Sequence, residues 1–154
     1  MIVGDQSLIA IESVITYAYE RLSFRALGLF VIHVKGCRYG VYEPDASMLA
    51  ASFDEVGQRI VGRGTHTAPY SKEPDAHQIA TSFREVLYTG ATKSTYFGTP
   101  ESEFASTIIT NRIVWAPDGD EAFDDGSYVL QFDVNDQVRI VAFTCDPDRR
   151  KPVL

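Results

Sequence analysis

The chain has 154 residues and a mass of 17.1 kDa, enough for one well-buried core, since folded chains of this length bury roughly 70% of their unfolded surface. Apolar residues make up 45% and charged residues 23%, the profile of a soluble globular protein and not of a disordered one. Fourteen Lys and Arg stand against 21 Asp and Glu, a formal net charge of -7 with a pI near 4.9. That balance argues against nucleic-acid binding, which needs cations to displace counterions from phosphate, and equally against an anionic membrane surface.

No span of eighteen uncharged apolar residues exists to cross a membrane. The opening MIVGDQSLIAIES lacks the basic region and apolar core of a secretory signal, with Asp5 where that signal is positive, so a cytoplasmic location is expected. Cys37 and Cys145 are too few and too distant to form a disulfide scaffold and are expected to be small apolar fillers.

Along residues 8–19 the odd positions Ile9, Ile11, Ile15 and Tyr17 are apolar, and the even ones include Glu12 and Thr16. This period of two suits a half-buried strand. Leu8, Ile11, Ile15, Ala18 and Leu22 also fit a helical spacing, but the Ile, Val, Thr and Tyr that crowd the segment favour the strand. Residues 26–35 run almost without a polar break, as a strand buried on both faces would. Gly36 and Cys37 then connect it to a return strand over residues 38–42.

Ser52-Phe53-Asp54-Glu55 has the form of a capping box, and its early acids oppose the helix dipole. A helix is predicted to start there, with Phe53, Val56, Ile60 and Val61 as its apolar stripe and Gly62 and Gly64 as its stop. A second helix is predicted after Pro74, capped by Asp75, with Ile79, Phe83, Val86 and Leu87 at helical spacing and Gly90 beyond its end. Residues 90–106 read as a loop with one short turn between Glu101 and Phe104, and residues 107–115 as a strand. In the closing pair, Tyr128, Leu130, Phe132 and Val134 alternate with Val129, Gln131 and Asp133. Asn135-Asp136 turns that strand into a partner over residues 137–144. Residues 146–154 are expected to be a flexible tail. With no internal repeat or composition shift, the sequence predicts one domain over residues 1–154. Its class is α+β, a mainly antiparallel sheet of about six strands with two helices packed on one face.

The charge is concentrated. Residues 113–138 hold Asp118, Asp120, Glu121, Asp124, Asp125, Asp133 and Asp136 and no Lys or Arg, so this stretch alone matches the net charge of the chain. A single-sign patch steers encounter with an opposite partner. The ordinary alternative is a solvated loop, weakened here because the acids extend into the following strand and its turn. Trp115 stands just before the run and reads either as a cap on the core or as an interface anchor, since binding hot spots favour Trp, Tyr and Arg.

Other chemistry finds little support. The acidic string fails the EF-hand spacing, because its sixth position, where glycine is needed, is Phe123. A looser Ca²⁺ or Mg²⁺ site remains an alternative. His33, His66 and His77 are scattered singly, with no CxxC or HExxH to suggest zinc. Cys37 and His33 would lie roughly 13 Å apart if they shared a regular strand, at about 3.3 Å per residue. No GxSxG, Walker loop or GxGxxG occurs. No catalytic, cofactor-binding or metal residues are assigned.

The segments MIVGDQSLIAIES, GCRYGVYEPDASMLAASFDEVGQRI and WAPDGDEAFDDGSYVLQFDV with VRIVAF together resemble the immunity protein 42 family of bacterial polymorphic toxin systems. The family pattern opens with Gly-Asp-Pro followed shortly by Phe-Ala-Ile-Glu. Here Gly4-Asp5 and Ala10-Ile11-Glu12 stand in place, while Gln6 replaces the proline and Ile9 the aromatic. The resemblance runs from Met1 to about Phe143. It implies a cytosolic antidote without catalysis that binds and neutralises a cognate toxin domain and so protects the producing cell.

The resemblance assigns no interface residues. Charge alone nominates Trp115, Asp118, Asp120, Glu121, Asp124, Asp125, Asp133 and Asp136 as the toxin-binding set, with a basic toxin surface as partner. A ligand-binding module with a cavity between sheet and helices is the second reading. A metal-assisted hydrolase using the carboxylates of residues 118–125 is the third.

Overall fold

The computed structural model describes residues 1–19, 26–70, 74–115 and 121–144. Its class is α+β with antiparallel pairing between its strands, as the patterning predicts, with nine strands and three helices among the described residues. Strands β1 (Ile2–Asp5), β2 (Ile9–Ala18), β3 (Ala26–Val34) and β4 (Cys37–Tyr39) lie in that order. β5 (Ser47–Met48) pairs with β3 beyond β4.

The apolar run of β3 is buried on both faces, as expected. One face carries Phe30, Ile32 and Val34 into a core with Leu49, Trp115, Val129 and Ala142. Residues 40–46 cross the other: Val31 lies against Gly40, Tyr42 reaches Glu12 on β2, and Asp45 accepts from Thr16. The connection to β4 is Lys35-Gly36, both left-handed at φ 48° and 77°, the tight turn whose twist matches the strands. This differs by one residue from the predicted Gly36-Cys37. β1 has no counterpart in the sequence reading; its four residues are all exposed and show no alternation.

The closing hairpin of β8 (Ser127–Val134) and β9 (Gln137–Thr144) forms as predicted, turning at Asn135 and Asp136 with φ 48° and 61°. It forms a middle layer, because its two faces enter different cores. Leu130, Phe132, Val141 and Phe143 pack with Ile79, Phe83, Phe104 and Ile108. Val129 and Ala142 join the core under β3.

The helices divide between these layers. Helix α1 (Leu49–Val61) packs on β3, whereas α2 (Ala76–Arg84) packs on β9. α2 begins at the predicted Asp75 cap, which accepts from the Gln78 amide at 2.8 Å, and continues as a π-helical turn over Glu85–Thr89 before Gly90. β6 (Thr95–Tyr96) and β7 (Thr99–Pro100) make a small ribbon leading into α3 (Glu101–Thr110).

Three expectations fail here. α1 starts three residues before Ser52, after Met48 with no side-chain cap, so the predicted capping box is interior helix. Its stripe is turned as well: Ser52, Glu55 and Arg59 are buried, while Phe53, Ile60 and Val61 are exposed. Tertiary partners for the charged pair outweigh local patterning. Residues 107–110 are helical instead of extended. Their Thr and Ile favour strands locally, but Phe104 and Ile108 sit one turn apart and are both buried, and Glu101 and Glu103 suit a helix start. Only the end of that segment is extended, with Val114 bridging to Leu130. Cys37, expected as a buried filler, is exposed beside the β3–β4 turn; Cys145 and the expected tail lie outside the described residues.

Candidate functional site

The acidic residues that run together in sequence are separated by the length of β8. Glu121, Asp124 and Asp125 lie at its start and Asp136 at its far turn, roughly 23 Å away for seven steps of about 3.3 Å. Asp118 and Asp120 lie outside the described residues.

At the start of β8, a 3₁₀ turn over Glu121–Phe123 is anchored by its own apolar members. Ala122 is fully buried and Phe123 meets Phe30 edge-on with ring centroids 6.3 Å apart. The intervening acids are thereby left outside: Glu121 and Asp124 are exposed, and neither carboxylate has a hydrogen bond or ion pair among the described residues. Asp125 accepts from the Ser127 amide at 3.0 Å and from its hydroxyl at 2.9 Å. Ser127 in turn accepts the Gly40 amide at 3.1 Å, and the Val41 amide donates to the Ala122 carbonyl at 2.7 Å. These bonds seat the 40–46 loop, with exposed Glu43 and Asp45, beside the acidic turn. Sequence reading missed this addition, because nothing local links residues 43 and 45 to residue 122.

At the other end, Asp133 is structural. Its carboxylate accepts the amides of Gly64 and His66, each at 2.9 Å, and its own amide donates to the His66 carbonyl at 2.7 Å. It thus fixes the turn leaving α1. Asp136 is exposed, and its left-handed backbone serves the hairpin turn.

Trp115 is 8% exposed and lies in the core. Its backbone amide bonds to Val129 at 2.8 Å, and the Arg59 guanidinium sits 5.0 Å from its ring centre. It therefore caps the core. Arg59 pairs with Glu55 at 2.9 Å and donates to the carbonyls of Arg112 and Val114. Glu55 also holds Arg112 at 2.5 Å. Burial pushes the Arg59 guanidinium down to about 10, with Glu55 opposing the shift, so it remains cationic at neutral pH. The Glu55–Arg59 pair at its centre is enclosed and serves the architecture, while Arg112 closes the network from an exposed position.

Two of the three histidines are held by internal contacts, and His77 is exposed on the first turn of α2. Nε2 of His33 lies 2.9 Å from Glu12 and 3.2 Å from the Gln6 amide nitrogen. Nδ1 of His66 meets the Asn111 carbonyl at 2.9 Å. Cys37 pairs with Val34 across the turn, so it does not share a strand with His33, and His33 is oriented toward Glu12. Among the described residues no three His, Cys, Asp or Glu side chains gather as a metal site requires, and no helix is long and apolar enough to cross a membrane.

What the geometry offers is recognition: exposed carboxylates on a rigid base at one end of a hairpin. Against known proteins, a sequence model of the family described as Immunity protein 42 matches residues 1–153. No curated protein and no solved structure gives a significant match.

Proposed function

Because this chain belongs to the Immunity protein 42 family, we propose that it is a cytoplasmic immunity protein of a bacterial polymorphic toxin system. It binds and neutralises a cognate toxin domain and so protects the producing cell. The observation that carries this reading is the family match over residues 1–153. The proposed action is binding alone, with no bond made or broken by this chain.

The exposed carboxylates supply a physical route. Glu121 and Asp124, with Asp118 and Asp120 beside them in sequence, would meet a basic toxin surface. A toxin acting on nucleic acid has a positive groove, which an acidic inhibitor can cover with fast, salt-sensitive association. Trp115 and Asp133 have no part in this contact.

Co-expression provides the test. The toxin domain encoded beside this gene is expected to arrest growth alone and to be harmless when this chain is produced with it. Continued arrest with the chain present and soluble would refute the pairing.

A further inference from the structure

Covering of the five-stranded sheet is uneven. β3 is enclosed, but β2 emerges past Ser13 into solvent, with every residue from 14 to 19 exposed. Of the sixteen large hydrophobic side chains exposed among the described residues, nine fall in the first nineteen positions. Clustered exposure of this kind marks an interaction surface more often than isolated apolar residues do.

Register shows which of them share a face. Val14 pairs with Leu29 and Tyr17 with Leu27, opposite in direction to the core-facing Phe30 and Ile32. The irregularity between Ile15 and Tyr17 keeps Val14 and Tyr17 on one side although they are three apart. Tyr19 stands edge-on to Tyr17 with ring centroids 4.8 Å apart. The 40–46 loop lies on this same face, because Tyr42 donates to Glu12 at 3.0 Å and Thr16 donates to Asp45. Val14, Tyr17, Tyr19 and Tyr42 are respectively 39%, 57%, 37% and 45% exposed, so each keeps solvent-facing surface.

Charge selects the occupant. Exposed Glu43 and Asp45 follow Tyr42 in the loop, Glu12 being already held by Tyr42 and His33, and the Val41–Ala122 bond places Glu121 and Asp124 near the same loop. A tyrosine face attracts cations over its ring, and Arg38 already sits 4.0 Å from the Tyr42 centroid. A second copy of this chain would bring the same acids against one another, which like-charge repulsion opposes. A guanidinium or ammonium satisfies both ring and rim at once.

We infer that the toxin docks on the outer face of β2 and the 40–46 loop, with Val14, Tyr17, Tyr19 and Tyr42 as the apolar centre and Glu43 and Asp45 as the rim, through a surface bearing arginine or lysine. This inference rests on the immunity reading and adds to it the place and chemistry of contact. The aromatic centre holds the complex together, whereas the acids accelerate its formation.

The test measures binding of the full chain to the toxin domain encoded beside its gene. Tyr17→Ala with Tyr19→Ala is expected to raise Kd about tenfold or more, mainly through faster dissociation. Glu43→Lys with Asp45→Lys is expected to slow association at low salt. Ile60→Ser, on the exposed side of α1, is expected to leave Kd unchanged. Hydrogen exchange on the unmutated complex gives a second readout, with protection expected over β2 and the 40–46 loop.

Failure of the wild-type chain to bind would overturn the immunity reading and this inference together. Wild-type binding with an unchanged Kd in the folded tyrosine variant would overturn the inference alone. So would a dimer of the free chain that the tyrosine substitutions disperse, since the face would then belong to a second copy.

Discussion

The two ends of the β8–β9 hairpin carry acids from one stretch of sequence, yet those acids do different work. At the start of β8, buried Ala122 and half-buried Phe123 fasten the turn and leave Glu121 and Asp124 without partners among the described residues. At the far end, Asp133 is enclosed by amides of the turn leaving α1. A run of like charge in sequence is therefore not a patch in space. What decides each carboxylate's role is whether a backbone donor lies within reach.

The sharpest way to break this contrast is to disturb the buried charges between the two ends. Arg59→Ala leaves Glu55, 4% exposed, without its i,i+4 partner. Glu55 keeps only the half-exposed Arg112, and the expected loss is about 3 kcal/mol, the lower end for uncovering one member of a buried pair. Urea unfolding would show it as a lowered midpoint, and an unchanged midpoint would mean that the buried pair does not hold the fold. Asp133→Ala comes next, removing a charged acceptor from two amides for about 2 to 3 kcal/mol. By contrast Glu121→Ser with Asp124→Ser should alter stability by no more than about 0.5 kcal/mol. If both acidic ends proved equally costly to fold, the division between them would fail.

A smaller effect distinguishes Glu12, which belongs to neither end. The hydrogen bond from His33 holds its carboxyl below the ordinary 4.5; burial opposes that shift, and the Tyr42 hydroxyl adds to it. A lowered carboxyl stabilises the fold above the unfolded-state value and ceases to do so as pH falls through the folded one. The stability difference between wild type and Glu12→Gln should thus shrink as pH falls below 4.5. Melting temperatures across that range would measure it, and a difference that grew on acidification would reverse the sign of the argument.

Much of the fold was legible because particular segments carry consistent local signals. The β8–β9 hairpin alternates cleanly around a turn whose residues tolerate left-handed backbone, and α2 has its cap and stripe in agreement. α1 and α3 were misread where tertiary contacts oppose local preference. Ser52 and Glu55 look like a cap until Arg59, Gln131 and the carbonyls of Arg112 and Val114 are seen to receive the buried face. Thr107, Ile108, Ile109 and Thr110 suggest a strand, but the contacts of Phe104 and Ile108 are helical.

The site was only half legible, for a related reason. Sequence counts charges but not their distant partners: the Gly64 amide that donates to Asp133 is 69 positions away. Glu43 and Asp45 join the acidic rim through a bond from Val41 to Ala122 that no local pattern announces. Tyr17 was visible in the alternation of β2, but its exposure depends on where the 40–46 loop stops covering the sheet.

The most direct measurement compares association rates with the toxin domain at low ionic strength for charge removal at the two ends. One variant is Glu121→Ser with Asp124→Ser. The other is Asp136→Asn, which keeps a residue tolerant of the left-handed turn. The near-end variant is expected to associate about tenfold more slowly, with the gap closing as salt screens the charges, while Asp136→Asn associates at the wild-type rate. Equal slowing in both, or none in the near-end variant, would contradict the claim that the exposed acids at the start of β8 guide the toxin to its place.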